Sequence, residues 1–589
     1  MSFRSTSLAL ALACAAVVTR AAPQEAKLAG GGEGAQGAAS AGASSPAPAG
    51  LPPPLPPPAL AESAPASDSL PGDPLELLWG HRLDFSGGVP LVTIRLVEGR
   101  EEIAFSARAP GGLEARGGPR VPVSPGVWLR ARVRAGRPAT LSYRPLLAEF
   151  EARDRSGLAR AREAWERRGV PTRIRASGGI YGIAGRVIDN RRSLLVADGT
   201  FTEASSAAFA ASAFERFGER PRVEAELVAR PSGEVEVVGP DGSPLARGDT
   251  VVVLETSGSG GFALAAVDRD PAQPGRGTEE RSYHGRLLLT VDSSGKLAAV
   301  SALPLEELLR GLVPSEMPAG SPTEALKAQA VTARSNVLAQ IGTRHLSDPW
   351  TLCSEVHCQA YRGDVAQTAA TDAAVRATAG EALFGREDRR LVDAVYSAMC
   401  GGHGEDNDAV WDTAPDPNLR GRPDLPAASA AAWSGGLASE TRLRSFLGGA
   451  PPAYCAHAPG APPDRYRWER HLSAEELDAL VGALGVGPVR ALLVEARGAS
   501  GRARSLRVEG ERGSASIHGE LQIRRVLGNL PSAMFLVERE GDGWVFRGGG
   551  WGHGAGMCQW GAIGRAAAGQ EYREILRAYY SGAEVARIY

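Results

Sequence analysis

The sequence predicts an α+β protein of several domains, in which a β-rich N-terminal region precedes a C-terminal α+β domain. The chain has 589 residues, which is long enough for more than one core. Between residues 74 and 145, short alternating runs such as VPLVTIRLV and GVWLRARVRAG are separated by glycine and proline, as is typical of strands. Two consecutive helical patterns then occupy residues 303–342.

Composition excludes some classes of partner. The formal net charge is -2 and the isoelectric point is about 6.6, which disfavours a nucleic-acid or anionic-membrane binder. After the N-terminal segment, no run of 18 apolar residues occurs, so we expect no transmembrane segment in the mature chain.

The N-terminus predicts export. Residues 1–22 have a basic residue, an apolar run that ends at Val18 and small residues near Ala21, which is the pattern of a signal peptide. Cys14 lies inside the apolar run, so lipid anchoring there is an alternative, although the residues before it fit a lipoprotein signal poorly. We therefore expect a periplasmic or cell-wall-associated protein.

Residues 23–73 predict a disordered linker, because they consist of Ala, Gly, Ser and Pro with almost no large apolar side chain. The N-terminal region, residues 74–279, combines strands with two helical patterns, SGLARAREAWERRG (156–169) and a second within SLLVADGTFTEASSAAFAASAFERFG. The order strand, helix, strands, helix, strand resembles the SPOR fold, a small peptidoglycan-binding domain. This region is therefore predicted to contain a small SPOR-like α/β unit.

The reactive side chains concentrate in the C-terminal half. Seven of the nine histidines and five of the six cysteines lie beyond residue 340, so we expect the chemistry there. Export implies an oxidising compartment. Without Cys14 the cysteine count is odd, so at least one thiol is free, metal-bound or paired with another chain.

The segment LPLEELLRGLVPSEMPAGSPTEALKAQAVTARSNVLAQIG (303–342) predicts two helices joined by a rigid elbow. Pro314 and Pro318 bracket Glu316 and fix the backbone around it, which predicts a short proline-locked loop. Ser321 as N-cap and Glu324 three residues later predict a capping box for a second helix over 322–341.

Glu316 is a candidate general acid. Such a group needs a rigid mount and apolar surroundings that keep it protonated at neutral pH. Lys327 and Arg334 are seven residues apart on the second helix, so they share a face beside it. The alternative interpretation is a surface charge in a turn, and spacing alone does not separate the two.

Several long motifs follow one another in a fixed order. They are PSEMPAGSPTEALKAQAVTARS, CSEVHCQAYRG, AVYSAMCGGHGEDNDAVW, GRARSLRVEGERG, GELQIRRVLG, GGGWGHGAGMCQWGA and YREILRAYYSGAEV. Together they resemble the SpoIID family, the stage II sporulation protein D family that includes the LytB amidase enhancer. The resemblance covers about residues 280–589, which it identifies as a SpoIID-like catalytic domain.

The resemblance implies a peptidoglycan lytic transglycosylase. Such enzymes cleave the MurNAc–GlcNAc bond of glycan strands without stem peptides, and the family's catalytic acid falls on Glu316. Lys327, Arg334 and Tyr396 match positions in or around the family's site. The alternative is a glycan-binding, non-catalytic activator of an N-acetylmuramoyl-L-alanine amidase. A zinc amidase is disfavoured because no HExxH motif occurs.

A structural zinc site is a further expectation, although catalysis requires no cofactor. His345, Cys353, His357 and Cys358 fall within 14 residues, and Cys400 forms a C-x-x-H with His403. The family resemblance supports zinc in the first set. The alternative is a disulfide that joins Cys353 to Cys358 or to Cys400.

The glycine-rich stretch 548–556 predicts a cleft wall. It lacks the Lys-Ser/Thr of a phosphate loop, and its glycines permit close backbone approach. Trp551 and Trp560 offer faces for sugar stacking or for core packing. We expect His553, Trp551 and Gln559 to contact substrate, and residues 403–406, HGED, to form a loop that faces it.

Overall fold

The computed structural model describes residues 18–19 and 73–589, except 184–185, 220, 259, 270–276, 356 and 412. The predicted signal peptide with Cys14 and the predicted linker lie outside the described residues, apart from 18–19 and 73. Among the residues described, no helix combines the length and the apolar character needed to cross a bilayer.

The fold is a mixed α/β architecture, rich in strands, with several sheets and fewer helices. The largest sheet, here the main sheet, is antiparallel along the order Asp84–Ser86, Val89–Arg100, Leu297–Pro304, Arg286–Val291, Val251–Thr256, Gly111–Ala115 and Arg120–Val123. The short strand Leu352–Cys353 adds to it in parallel with Val89–Arg100. A second antiparallel sheet has the order Pro244–Asp249, Ser232–Val238, Trp128–Arg137, Glu102–Ala107, Phe262–Asp268 and Thr278–Tyr283.

The predicted boundary at residue 280 does not separate two cores. Val89–Arg100 pairs with Leu297–Pro304, and Val251–Thr256 pairs with Arg286–Val291, so the main sheet takes strands from both sides of it. One apolar core likewise runs from the strands before residue 280 to the C-terminal helices. The alternating pattern located the strands but carries no information about their distant partners.

A smaller α/β unit stands within the N-terminal region. Its four-stranded antiparallel sheet has the order Arg222–Ala229, Thr140–Glu151, Arg192–Ala197 and Thr172–Ser177. The helices Arg155–Arg167 and Glu203–Phe217 are capped by Asp154 and Thr202. The predicted order of strands and helices agrees with this unit, and its likeness to a SPOR domain stays a prediction.

Two helices form the centre of the C-terminal half: the elbow helix, Leu305–Glu316, and the central helix, Thr323–Gln340. In the central helix 14 of 18 residues are buried, so this alanine-rich segment is a core helix rather than an amphipathic surface helix. The other helices are Pro74–Trp79, Gly363–Ala366 (3-10), Ala369–Ala377, Asn407–Trp411, Ala427–Ala430, Ala431–Trp433 (3-10), Glu440–Gly449, Pro463–Tyr466, Ala474–Val481, Gly482–Leu484 (3-10), Glu520–Val526, Gln559–Ala567 and Tyr572–Tyr579.

Small sheets complete the C-terminal half. The remaining strands pair as Arg467–Leu472, Gly543–Gly549 and Phe535–Glu540; as Val489–Arg497, Ala503–Gly510, Gly513–His518 and Val18–Thr19; as Glu381–Gly385 with Ala583–Arg587; as Tyr396–Ser397 with Met557–Cys558; and as the hairpin Ile180–Ile183 with Arg186–Asp189. The parallel pair of Tyr396–Ser397 and Met557–Cys558 brings two of the family motifs together.

The elbow differs in detail from its prediction. The elbow helix continues through Pro314, so Glu316 is its last residue rather than a loop residue. The central helix begins after Pro322 without the predicted capping box. Glu324 is engaged elsewhere, since its carboxylate accepts bonds from Lys327 Nζ at 2.7 Å and from the main-chain N–H of Tyr572 at 2.9 Å.

Candidate active site

Glu316 is held at the end of the elbow helix by three hydrogen bonds. Its Oε1 accepts from the main-chain N–H of Ala360 at 2.7 Å. The amide of Gln559 donates to the main-chain oxygen of Glu316 at 3.1 Å and reaches Oε2 at 3.4 Å. The residue is partly buried. Oε2 is the less engaged oxygen, because its contact is longer than that of Oε1. The helix end, the 360 loop and the start of the helix Gln559–Ala567 therefore fix one carboxyl group.

The pKa of Glu316 is raised. Burial is the main cause, because an ionised carboxylate loses solvation there, and the donors Ala360, Gln559 and Tyr396 oppose the rise. The arrangement favours a proton on Glu316 at a pH where an exposed glutamate would be ionised. That is the state a general acid needs before the reaction.

Tyr396 belongs to a network beside Glu316. Its hydroxyl donates to Gln359 Oε1 at 3.1 Å, and burial raises its pKa well above the usual value. The amide of Gln359 in turn donates to Asn336 Oδ1 at 2.7 Å on the central helix. The predicted neighbourhood of Tyr396 and Glu316 is therefore present in the structure, and the network holds the phenol in place.

His553 supports this network from behind. Its Nδ1 accepts from the main-chain N–H of Ala555 at 3.1 Å, so its Nε2 donates to the carbonyl of Tyr396 at 2.8 Å. Burial, followed by the positive charge of Arg502, lowers the pKa of His553 to about 3, and the imidazole is neutral. Both ring nitrogens are used within the protein, so His553 positions Tyr396, while its predicted contact with substrate stays a prediction.

Lys327 and Arg334 do not form a pair of cations over Glu316. Lys327 Nζ bonds Glu324 and lies 5.6 Å from the centre of the Tyr572 ring. Arg334 has no exposed side-chain surface and forms a bidentate ion pair with Glu306, with both distances 2.8 Å. Their spacing predicts a shared helix face, but in the structure Arg334 is buried against the elbow helix through Glu306. In this structure Arg334 holds the core, and a direct role toward substrate stays a prediction.

The glycine-rich stretch approaches other backbone closely, as its composition predicts. A Cβ at Gly556 would lie 1.9 Å from the carbonyl oxygen of Val395, and one at Gly554 would lie 2.5 Å from Arg502. Trp551 is 38% exposed, with the guanidinium of Arg465 at 4.5 Å from its ring. These contacts bring the stretch against the strand that carries Tyr396.

Two residues that follow this stretch, Gln559 and Trp560, pack inward. Trp560 packs against two apolar clusters, so the core-packing alternative holds for it. Gln559 is 7% exposed, and its amide donates to Glu316, so it positions the acid in this structure. Its predicted contact with substrate stays a prediction.

The predicted substrate-facing loop 403–406 is wrong for two of its members, because His403 and Glu405 are each 1% exposed. Glu405 accepts from the hydroxyl of Ser500 at 2.6 Å and from the main-chain N–H of Asp406 at 2.9 Å. The polar side chains of His403 and Glu405 therefore belong to an internal hydrogen-bond network.

The four predicted zinc ligands meet. The ligand atoms of His345, Cys353, His357 and Cys358 all lie within 4.8 Å of one another, and none of the five described cysteines forms a disulfide. The Nδ1 of His345 bonds Asp348 Oδ2 at 3.0 Å, which leaves its Nε2 facing Cys358 Sγ at 3.2 Å. Two thiols and two imidazoles at these distances fit a tetrahedral zinc site.

Sequence reasoning missed two parts of the site. The N–H of Ala360 and the amide of Gln359 contact Glu316 and Tyr396, although both belong to the quoted motif CSEVHCQAYRG. Main-chain donors have no residue-type signal. Cys400 lies beside Cys455, Cys558 and Asp424 instead of His403, and these four residues come from separate segments of the chain.

Comparisons with known proteins find similar sequences. Residues 293–384 match the family model SpoIID, Stage II sporulation protein, and residues 405–556 match a domain of unknown function, DUF8618. A Brachyspira hyodysenteriae protein described as uncharacterized is 28% identical over 306 residues, which are 51% of this chain and 72% of that protein.

Two further relatives carry descriptive names. The Amidase enhancer of Bacillus subtilis is 26% identical over 290 residues, which are 46% of this chain and 39% of that protein. Stage II sporulation protein D of Bacillus amyloliquefaciens is 26% identical over 301 residues, which are 49% of this chain and 75% of that protein. The segment matched to the SpoIID model contains the elbow helix, Glu316 and the central helix. The predicted resemblance to the SpoIID family is thereby confirmed: this chain carries a SpoIID domain, and its named relatives are an amidase enhancer and a stage II sporulation protein D.

Proposed function

We propose that the protein is a peptidoglycan lytic transglycosylase in which Glu316 is both general acid and general base. The observation that carries the proposal is the state of its carboxyl group: partly buried, raised in pKa, and held through Oε1 so that Oε2 is the less engaged oxygen. The names of two relatives, Stage II sporulation protein D and Amidase enhancer, support a role at the cell wall.

The first step is proton donation to the glycosidic oxygen between MurNAc and GlcNAc. The N–H of Ala360 occupies Oε1, so the proton resides on Oε2 and is transferred from there. The glycosidic C–O bond breaks, GlcNAc departs with the proton as an alcohol, and positive charge develops at C1 of MurNAc. The new carboxylate is stabilised by the donors Ala360 and Gln559.

The second step returns the proton to the enzyme. The C6 hydroxyl of the same MurNAc attacks C1, and Glu316 removes its proton, so a 1,6-anhydro ring closes without water. No second carboxylate is among the groups that bond Glu316 within the described part of the chain. Hydrolysis by an inverting or retaining enzyme requires two carboxyl groups, whereas ring closure requires one.

A zinc ion held by His345, Cys353, His357 and Cys358 would have a structural part. Cys358 is two residues before Ala360, whose N–H binds Glu316. A cross-link there stiffens the loop that fixes the acid, and four protein ligands leave no open coordination position for chemistry. The chain's own residues carry every proton transfer.

The test uses denuded glycan strands and a chain from residue 73 to the C-terminus, because strands before residue 280 complete the main sheet. We expect the unaltered chain to release products with anhydro-MurNAc ends, as seen by mass spectrometry, and Glu316→Gln to release none. Glu307→Gln is the matched control, since Glu307 lies on the same helix and pairs with Arg310.

The competing function is activation of an N-acetylmuramoyl-L-alanine amidase without cleavage, and the relative named Amidase enhancer favours including it. It would be supported if glycan binds but stays intact, and if an added amidase then works faster with both the unaltered chain and Glu316→Gln. Anhydro ends that depend on Glu316 would contradict it.

A further inference from the structure

A second cluster of ligand side chains is buried away from the first. The Sγ atoms of Cys400, Cys455 and Cys558 and a carboxylate oxygen of Asp424 all lie within 4.8 Å of one another. These residues are between 0% and 3% exposed.

Two of the distances between these atoms match those of a metal tetrahedron. With Zn–S bonds of about 2.3 Å and Zn–O bonds of about 2.0 Å, two sulfurs lie about 3.8 Å apart, and a sulfur and an oxygen about 3.5 Å apart. Cys400 Sγ lies 3.8 Å from Cys455 Sγ and 3.5 Å from Asp424 Oδ2. A disulfide would instead require about 2.05 Å between the sulfurs.

Two of the three sulfurs, those of Cys400 and Cys558, accept main-chain hydrogen bonds of the kind that stabilise thiolates. The N–H of Cys400 donates to Cys558 Sγ at 3.1 Å, and the N–H of Gly561 donates to the same sulfur at 3.2 Å from the first turn of the helix Gln559–Ala567. The N–H of Gly402 donates to Cys400 Sγ at 3.3 Å. Donors of this kind stabilise negative sulfur, which is the form that binds metal.

Charge balance also favours a cation. Three thiolates, one carboxylate and a divalent ion leave two negative charges in the core. Arg565 donates to Asp424 Oδ1 from Nε at 2.9 Å and from Nη2 at 2.8 Å. Arg467 and Arg502 bond the carbonyls of Gly401 and Cys400, which places two further positive charges beside the cluster.

We propose that Cys400, Cys455, Cys558 and Asp424 bind a structural divalent metal ion of the zinc class. Thiolate-rich, closed, four-ligand sites select such ions, and complete burial excludes a catalytic water. The ion joins four separate segments of the chain, with Cys400 and Cys558 158 positions apart. Since Cys558 immediately precedes Gln559, it would also fix the amide that holds Glu316.

The test is metal content per chain, measured by inductively coupled plasma mass spectrometry on the chain from residue 73 after growth with zinc and dialysis. We expect Cys400→Ser/Cys455→Ser to lose one equivalent relative to the unaltered chain. The control, Cys353→Ser/Cys358→Ser, changes the first cluster and keeps that equivalent. An equal metal content in the unaltered chain and Cys400→Ser/Cys455→Ser would overturn the proposal, as would a Cys400–Cys455 disulfide found by non-reducing peptide mapping.

A second measurement applies if Cys400→Ser/Cys455→Ser does not fold. Cobalt is loaded into Cys353→Ser/Cys358→Ser, in which only the buried cluster retains its thiols. We expect thiolate-to-cobalt absorption with an intensity of three thiolates, against two for the first cluster in Asp424→Asn/Cys455→Ser. No such absorption in the folded Cys353→Ser/Cys358→Ser chain would contradict the buried site. Neither measurement depends on glycan cleavage, so this proposal and the proposed enzyme fail separately.

Discussion

Glu316 and Glu405 are two carboxylates of the C-terminal half that share a raised pKa with burial as its first cause. They differ in how fully the protein occupies their carboxylate oxygens. Glu405 is 1% exposed, and its two oxygens accept from Ser500 and from Asp406, with Arg502 nearby. Glu316 is only partly buried, and the bond from Gln559 to its Oε2 is long, at 3.4 Å, with the Tyr396 hydroxyl beside the carboxyl group.

A raised pKa therefore does not by itself identify a catalytic acid. A proton donor also needs an oxygen that the protein leaves unoccupied and a side for substrate to approach. Glu405 meets the electrostatic condition and fails the geometric one, so it serves the core.

The largest expected effect is on rate, from Glu316→Gln. Loss of the transferable proton should lower glycan cleavage roughly 100- to 10,000-fold, the usual worth of general acid–base catalysis. The midpoint of thermal unfolding should hardly change, because the amide still accepts from Ala360 and no buried charge is added. Initial rates and melting curves on the same preparations test this. A rate within tenfold of the unaltered chain would remove Glu316 from the mechanism.

The second effect is on stability, from Glu405→Ala compared with Glu316→Ala. Glu405→Ala leaves the buried N–H of Ser500 and the part-buried N–H of Asp406 without partners, which costs about 1–3 kcal/mol in the free energy of unfolding. Glu316→Ala should cost less, since water can reach the partly exposed site. Urea unfolding of both variants measures the difference. A smaller loss for Glu405→Ala would break the comparison.

The smallest effect is on the pH profile, from Gln559→Leu. Gln559 donates to the carboxyl group of Glu316 and lowers its pKa, so the substitution should raise that pKa further. The acid is active when protonated, and activity is lost as pH rises through its pKa, so the alkaline limb moves to higher pH. At the optimum the rate should change by no more than about tenfold, or about 1.4 kcal/mol.

The control for that substitution is Gln367→Leu, a glutamine whose amide nitrogen has no hydrogen-bond partner in the described structure. Its pH profile should coincide with that of the unaltered chain. If Gln559→Leu moves the alkaline limb to lower pH, the amide does not act on Glu316 as the geometry implies.

Local features of the site could be predicted from sequence, and long-range ones could not. The elbow, Glu316 and the first metal cluster depend on residues close in the chain, and the structure brings each of them together. The buried cluster brings together Cys400, Cys455 and Cys558 from distant segments of the chain, so no spacing rule could predict it. Arg334 shows the same limit, because its burial depends on Glu306 of another helix.

The fold divides in the same way. Strand and helix patterns identified the elements on both sides of residue 280, whereas the pairing of Val89–Arg100 with Leu297–Pro304 was invisible to them. The residues before 280 therefore contribute to the platform beneath the elbow helix. A fragment that begins at residue 280 should be insoluble or unfolded by circular dichroism, while a chain that begins at residue 73 should fold.

The most direct test of the central claim is cleavage of denuded glycan strands in water labelled with heavy oxygen. If Glu316 closes a 1,6-anhydro ring, mass spectrometry should find new MurNAc ends without the label and with the mass of one lost water. Reducing ends that carry one labelled oxygen would contradict the account, because water and a second carboxylate would then take part.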